Sequence, residues 1–253
     1  SITRNPIADP SILGVNTGAT LFVVGGIAFL GINSPEEYIF LALIGAAITA
    51  VFVYGIGSMG PGGATPIKLA LAGAAISAAL SSLVSAIIMP REQVMNAVRF
   101  WQVGSISGAT WEGIVTVLPF LIIGLLLGLI VTPALDALAM GDDIATGLGV
   151  RVGTVRLIGA MSGVLLCGAI TALAGPIGFV GLMVPHTMRL ICGPNLRWIV
   201  PMSALGGAIL LTLSDVLGRL IGSPGELEVG IVTAFIGAPI LIMIAIRAKG
   251  RTL

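Results

Sequence analysis

Long apolar runs joined by short polar connections dominate this chain. Charge-free segments fall at 12–32, 39–59, 69–89, 113–135, 157–173, 198–214 and 229–246, with a shorter one at 181–188 that continues past Arg189 to Cys192. A helix needs about 20 apolar residues to cross the hydrocarbon core of a bilayer. The pattern therefore predicts eight crossings, the one at 181–192 being short. No segment alternates apolar and polar residues with a period of two, and an open sheet edge cannot be satisfied in lipid. The predicted fold class is an all-α integral-membrane, polytopic helical bundle, with 1–253 as a single domain. Composition agrees: the chain is 57% hydrophobic and 9% charged, with a mean hydropathy of +1.12. Soluble domains carry about 25% charged residues, so a chain this poor in charge cannot cover a water-facing surface.

Lys and Arg set the orientation of such a bundle. Alternating sides from the start of the chain puts Arg4, Lys68, Arg151, Arg156, Arg189, Arg197, Arg247, Lys249 and Arg251 on one side and Arg91, Arg99 and Arg219 on the other. The richer side is cytoplasmic. The split also tests the short crossing, because without it Arg247, Lys249 and Arg251 would change sides. The stretch 138–156 then lies in the cytoplasm. It is the most polar connection near the middle of the chain, holding Asp142, Asp143, Arg151, Arg156 and four glycines. It reads as a docking loop where another subunit delivers force. The outer side carries the acids Glu36, Glu37, Glu92, Glu112, Glu226 and Glu228. In its longest loop, the run Arg91–Trp101 has helical spacing and predicts a short helix on the outer surface. Trp101 and Trp111 read as interfacial anchors.

Glycines four apart, Gly14/Gly18, Gly124/Gly128 and Gly159/Gly163, predict close helix–helix approach. Between 69 and 89, Gly73, Ser77, Ser81, Ser85 and Met89 recur every fourth residue. That stripe can line a wide aqueous path, or form a helix seam with Ser bonding back to the i−4 carbonyl. Gly230, Thr233 or Ala234, and Gly237 form a weaker stripe of the same kind. Asp215 is the one acid in a crossing, and Arg219 four residues on makes an i,i+4 pair the simpler account of it. Arg219 can also snorkel outward and be offered to a partner. Cys167 and Cys192 sit in apolar segments and read as packing residues, and the lone His186 cannot build a histidine metal site. There is no P-loop, no ladder of buried acids and histidines for a proton relay, and no basic, aromatic-interleaved patch for nucleic acid. The rival class is an intramembrane hydrolase, whose only visible pairing would be Ser162 with His186.

Three blocks carry a family resemblance. Arg4-Asn-Pro-Ile-Ala-Asp-Pro-Ser-Ile-Leu-Gly14 resembles the RNPLADPxxLG signature of the permease subunits of iron-siderophore and vitamin B12 ABC importers. Residues 175–189, Gly-Pro-Ile-Gly-Phe-Val-Gly-Leu-Met-Val-Pro-His-Thr-Met-Arg, resemble their GxIxFVGLxxPHxxR block. Residues 225–239, Gly-Glu-Leu-Glu-Val-Gly-Ile-Val-Thr-Ala-Phe-Ile-Gly-Ala-Pro, resemble their ELPVGxxTAxxGAP block. Phe100-Trp-Gln-Val-Gly-Ser105 looks most like the ferric-siderophore members, enterobactin-type permeases included.

The resemblance implies a fold of ten membrane helices, eight of them visible here, with two more before Ser1. It implies an inner-membrane, multi-pass location and a second permease subunit, identical or a paralogue. It also implies two ATPase subunits that hold ATP and Mg, and a periplasmic or lipid-anchored binding protein. No cofactor is expected in this chain, and no reaction chemistry. The cargo implied is a ferric siderophore, with haem, cobalamin or another metal chelate as alternatives. Gly141, Asp142, Ala145, Leu148 and Gly149 match the family's ATPase-coupling segment. Asp142 stands where members often carry Glu or Ser, so the family pattern does not require its charge. Arg219 matches the outward arginine that pairs with a glutamate of the binding protein. Thr65, Pro66 and Ile67 match the cytoplasmic gate loop, where Pro66 departs from the small polar residues of some members. Ser77, Ser81, Ser85 and Met89 fall on the helix that lines the family's translocation path.

Overall fold

A computed structural model of the chain describes residues 14–32, 35–60 and 65–249. Arg4 to Leu13 of the first motif and Arg251 lie outside the described residues. Helices account for every predicted apolar segment. Helix α1 spans Val15–Gly25 and runs on through a π-turn, Gly26–Leu30. It is followed by α2 (Pro35–Gly57), α3 (Pro66–Ile88), α4 (Glu92–Val103), α5 (Trp111–Ala139) and α6 (Asp142–Gly147). Then come α7 (Val152–Ala174), α8 (Val180–Cys192), α9 (Leu196–Gly222) and α10 (Val229–Lys249). Five of these are long and apolar enough to cross a membrane: α2, α3, α5, α7 and α9. Val15–Leu30 and Val180–Cys192 are shorter apolar helices. No strand occurs among the described residues.

The starts of the helices follow local rules. Thr65 caps α3 by accepting from the backbone N–H of Lys68, and Pro66 opens its first turn, where a missing N–H costs nothing. Thr110 caps α5 by accepting from Gly113, with Glu112 in the positive first turn. Asn195 caps α9 through Arg197.

Helices α5 and α9 run longer than the charge-free segments that announced them. Asp136 cut the predicted α5 short, yet the helix continues to Ala139 and the Asp136 carboxylate accepts from the backbone N–H of Leu196 at the start of α9. Asp215 and Arg219 cut α9 short, yet they pair with each other one turn apart and the helix continues to Gly222.

Packing begins where glycine lets backbones meet. A Cβ at Gly18 would collide with Thr49 and the Gly45 carbonyl, which places α1 flat on α2. A Cβ at Gly128 would meet Ser162 Oγ at 2.8 Å, and that hydroxyl donates to the Gly124 carbonyl at 2.7 Å, closing the α5–α7 seam. The predicted Gly159/Gly163 contact fails in its second half, because the space beside Gly163 is open. Three apolar clusters result. One joins α1 and α2 to α5 and α7 through Val15, Val23, Ile39, Ala46, Val117 and Ala169. A second seats α4 on α1 and α3 through Val24, Val84, Val94 and Val98. The third, Val131, Leu138, Ala145 and Val155, belongs to α5, α6 and α7 alone.

Helix α4 is the surface helix that the spacing predicts, with Glu92 and Arg99 exposed on one face and Val94 and Val98 buried on the other. Trp111 is an exposed anchor, 82% accessible. Trp101 is not: it packs against the first cluster, because the loop after α4 turns inward over the bundle.

Candidate functional site

The two ends of the bundle are distinguished by contacts between loops distant in sequence. At one end, Ser105 donates its backbone N–H to Ala174, and Gly230 donates to Gly104. Side chains at Gly175 or Gly230 would run into the carbonyls of Trp101 and Val103. Ile39, Gly113 and Leu173 meet at this same end. At the other end, Ala145 of α6 is fully buried against α5 and α7, and Asp136 reaches α9. These two ends are the ones that the count of positive charges expects on the outer and the cytoplasmic side.

The predicted coupling segment is a compact knuckle. Gly141, with φ 132°, allows the turn out of α5, and Gly149, with φ 81°, the turn out of α6. Both conformations favour glycine. Arg156 donates from Nη2 to both carboxylate oxygens of Asp142 at 3.0 Å. Thr146 donates to the Asp142 carbonyl, and Val150 to that of Ala145. Ala145 faces inward, so it supports the knuckle rather than touching what lies outside. Leu148 and Gly149 are exposed. Sequence reasoning missed two neighbours: Met140, Ile144 and Leu148 are four residues apart and all exposed. They leave three large apolar side chains exposed on the knuckle. No helical spacing announced them, because Gly141 breaks the helix between Met140 and Ile144.

Charge at Asp142 has a use that the family pattern did not suggest. The carboxylate holds α6 against α7, with the Arg156 side chain only 13% exposed.

The α3 stripe divides. Steps of four residues advance 400° on a helix, so each step drifts about 40° around the axis. Gly73 is accordingly buried and Ser77 half-buried, its Oγ 3.4 Å from where a Gly14 Cβ would be. Ser81, Ser85 and Met89 are exposed. The open face also carries Ala74, Ala78 and Ser82, which the every-fourth pattern passed over. Ser82 and Ser85 donate to the i−4 carbonyls of Ala78 and Ser81. Small residues fill the middle of this face, while Ile67, Leu71 and Met89 stand large and exposed toward its ends.

Thr65 and Pro66 of the predicted gate are the N-cap and first turn of α3. Lys68 Nζ donates to the Met59 carbonyl, tying that turn to the end of α2. The lesser stripe on α10 is a seam and not a path: Gly230 sits on the 103–104 backbone, Thr233 is fully buried, and Gly237 sits on Phe179.

At the outer end, Arg219 is engaged within the chain. Its Nε donates to Asp215 at 2.9 Å, Nη1 to Glu226 at 3.5 Å, and Nη2 to Ser107 Oγ at 3.0 Å. Ser107 Oγ lies in turn 3.2 Å from Glu226. The i,i+4 account of Asp215 therefore holds, with Glu226 and Ser107 as further partners that spacing could not reveal. Half of the Arg219 side chain remains accessible.

The serine of the rival hydrolase reading is committed elsewhere, since Ser162 donates its hydroxyl proton inside the α5–α7 seam. His186 lies on α8, which packs on α9 and α10. No disulfide joins Cys167 and Cys192.

Comparison with known proteins agrees with this architecture. The model of the FecCD transport family matches residues 1–247. The Fe(3+)-citrate import system permease protein YfmD of Bacillus subtilis (strain 168) is 45% identical over 253 residues, which is 100% of this chain and 74% of that protein. The ferric enterobactin transport system permease protein FepD of Escherichia coli (strain K12) is 43% identical over 252 residues, 99% of this chain and 75% of that one. A solved structure described as an inward-facing conformation of an ABC transporter, assigned to the metal-chelate type, superposes with a TM-score of 0.86. Its sequence is 28% identical, and the match covers 96% of this chain and 78% of that one.

Proposed function

The chain belongs to the FecCD transport family, and we propose that within an ABC importer it carries a ferric siderophore or ferric citrate across the cytoplasmic membrane. The observation that carries the cargo class is the match along essentially the whole chain to permeases named for ferric citrate and ferric enterobactin. ATP binding and hydrolysis reside in partner subunits docked on the cytoplasmic knuckle. A binding protein delivers the chelate to the outer end.

The parts of the chain suit such work. Exposed Met140, Ile144 and Leu148 present apolar side chains beyond the end of a 29-residue helix. Apolar groups at such a place need a protein cover. Gly141, Ala145 and Gly149 shape the knuckle that carries them. The small, weakly polar face of α3 fits a bulky chelate better than a tight ring of ligands would. Thr65, Pro66 and Ile67 lie at its cytoplasmic mouth. Arg219 offers its accessible half to a carboxylate of the binding protein, which must compete with Asp215 and Glu226. A second permease subunit closes the path.

The test is ATPase activity of the reconstituted complex, measured with binding protein and a panel of ferric citrate, ferric enterobactin, a ferric hydroxamate, haem and cobalamin. Stimulation by an iron chelate is the expected result. Stimulation by haem or cobalamin alone would reassign the cargo. Failure to associate with any ATPase would remove the importer reading.

A further inference from the structure

The buried contacts divide the membrane part of the chain unequally. The core shared by α1 and α2 with α5 and α7 draws on Val117, Phe120 and Leu121 of α5 and on Val164, Ala169 and Ala172 of α7. All six lie in the outer halves of those helices. Toward the cytoplasm, α5 and α7 have a separate core with α6, made of Val131, Leu138, Ala145 and Val155. Between the two cores, the Ser162 bond to Gly124 holds α5 and α7 together. The α5–α7 pair is thus anchored to its neighbours near its outer end and joined to the knuckle at its inner end.

We infer that Asp142 and Arg156 are positioning residues that weld the knuckle to α7, so that α5, α6 and α7 move as one lever pivoting about the shared outer core. The inference rests on the proposed coupling role of 138–156. A hydrophobic plug alone would not transmit torque well. Ala145 is small, and α6 has six residues and exposes most of them. The ion pair supplies what the plug lacks. One guanidinium nitrogen reaches both oxygens of Asp142 at equal distance. Arg156 is nearly covered while the Asp142 side chain is 43% exposed, so the pair is a partly screened tether fixed from the Arg156 side. Asp142 lies in the first turn of α6 and Arg156 in the second turn of α7, so the bond crosses the whole knuckle. Asp136 extends the unit by holding the N-terminus of α9.

Arg156→Gln and Asp142→Asn test this in the complete complex, reconstituted with its ATPase and binding protein, with ferric citrate and ferric enterobactin as probes. Both variants are expected to lower the chelate moved per ATP roughly tenfold, in the range of ordinary coupling free energies, and Arg156→Gln is expected to do so while ATPase association and hydrolysis persist. The exchanged pair Asp142→Arg with Arg156→Asp is expected to recover most of that ratio, which a loss of folding would not allow. A normal ratio in Arg156→Gln, or an exchanged pair as poor as the single variants, overturns the weld. Leu148→Asp separates the two ideas. It is expected to weaken ATPase association and uptake together. If Leu148→Asp changes neither, the docking reading falls and the lever with it. If Leu148→Asp acts as expected while Arg156→Gln is normal, the weld alone falls.

Discussion

A single missing side chain decides how α1 meets α2. At Gly18 the α2 backbone is so close that any Cβ would overlap the Gly45 carbonyl, and a backbone atom cannot swing aside as a side-chain tip can. Gly18→Val should therefore destabilise the permease by about 1–3 kcal/mol, the usual cost of overpacking. It should lower the thermal aggregation midpoint of the purified complex, while Gly163→Val, beside open space, leaves that midpoint unchanged. Glycine spacing announced both positions equally. Sequence cannot show which glycine faces a neighbouring backbone, because a four-residue repeat fixes a face and not what lies opposite.

Arg219 teaches the same lesson with charge. Asp215 was legible as its partner from the four-residue interval. Glu226 and Ser107 come from two loops that only the fold brings together. Arg219→Glu would set a third acid beside two others and is expected to abolish stimulation of ATPase by the binding protein. Glu226→Gln removes a competitor for the guanidinium, so stimulation should persist at equal or lower binding-protein concentration. A loss of stimulation in Glu226→Gln equal to that in Arg219→Glu would mean that the cluster only ties the outer loops together.

At the scale of the element, the eight apolar segments became helices because length and hydropathy leave lipid-exposed backbone no alternative. Their ends were less legible. Acids and arginines near a terminus read as the edge of the membrane, yet Asp136, Asp215 and Arg219 are helical residues whose charges find partners in the last turns. The α3 face was half legible. Its serines stood out, but the alanines that complete the open surface carry no signal in a chain this rich in small apolar residues. If this face lines the path, Ala78→Phe should cut uptake strongly while ATPase association and basal hydrolysis stay normal. If it faces lipid, the bulk is accommodated and uptake is unchanged.

For the whole molecule, the hardest element to justify is α8. Thirteen helical residues span about 20 Å, some 10 Å short of the hydrocarbon thickness. Residues 175–179 make up the difference without being helical. Such backbone is tolerated at membrane depth only under protein cover. The cover is there: Ser105 donates to Ala174, Gly175 lies on the Trp101 carbonyl, and Gly237 of α10 lies on Phe179. The three glycines Gly104, Gly175 and Gly230 let the backbones approach closely enough to provide it. Counting positive charges reached the same crossing from the opposite direction, through the side on which Arg247 and Lys249 fall. The two arguments share no observation, and both predict the same sidedness for everything after Cys192. A membrane-impermeant maleimide checks it on single-cysteine variants in spheroplasts, with Cys167 and Cys192 replaced except where Cys192 is itself the reporter. Cysteines at Gly108 and Ser223 should label from outside, and Cys192 and a cysteine at Met140 only after permeabilisation. If α8 turns back instead of crossing, Cys192 becomes accessible from outside and Ser223→Cys is lost to the interior. Arg219 and Glu226 would then sit on the ATPase side, and no binding protein could reach them.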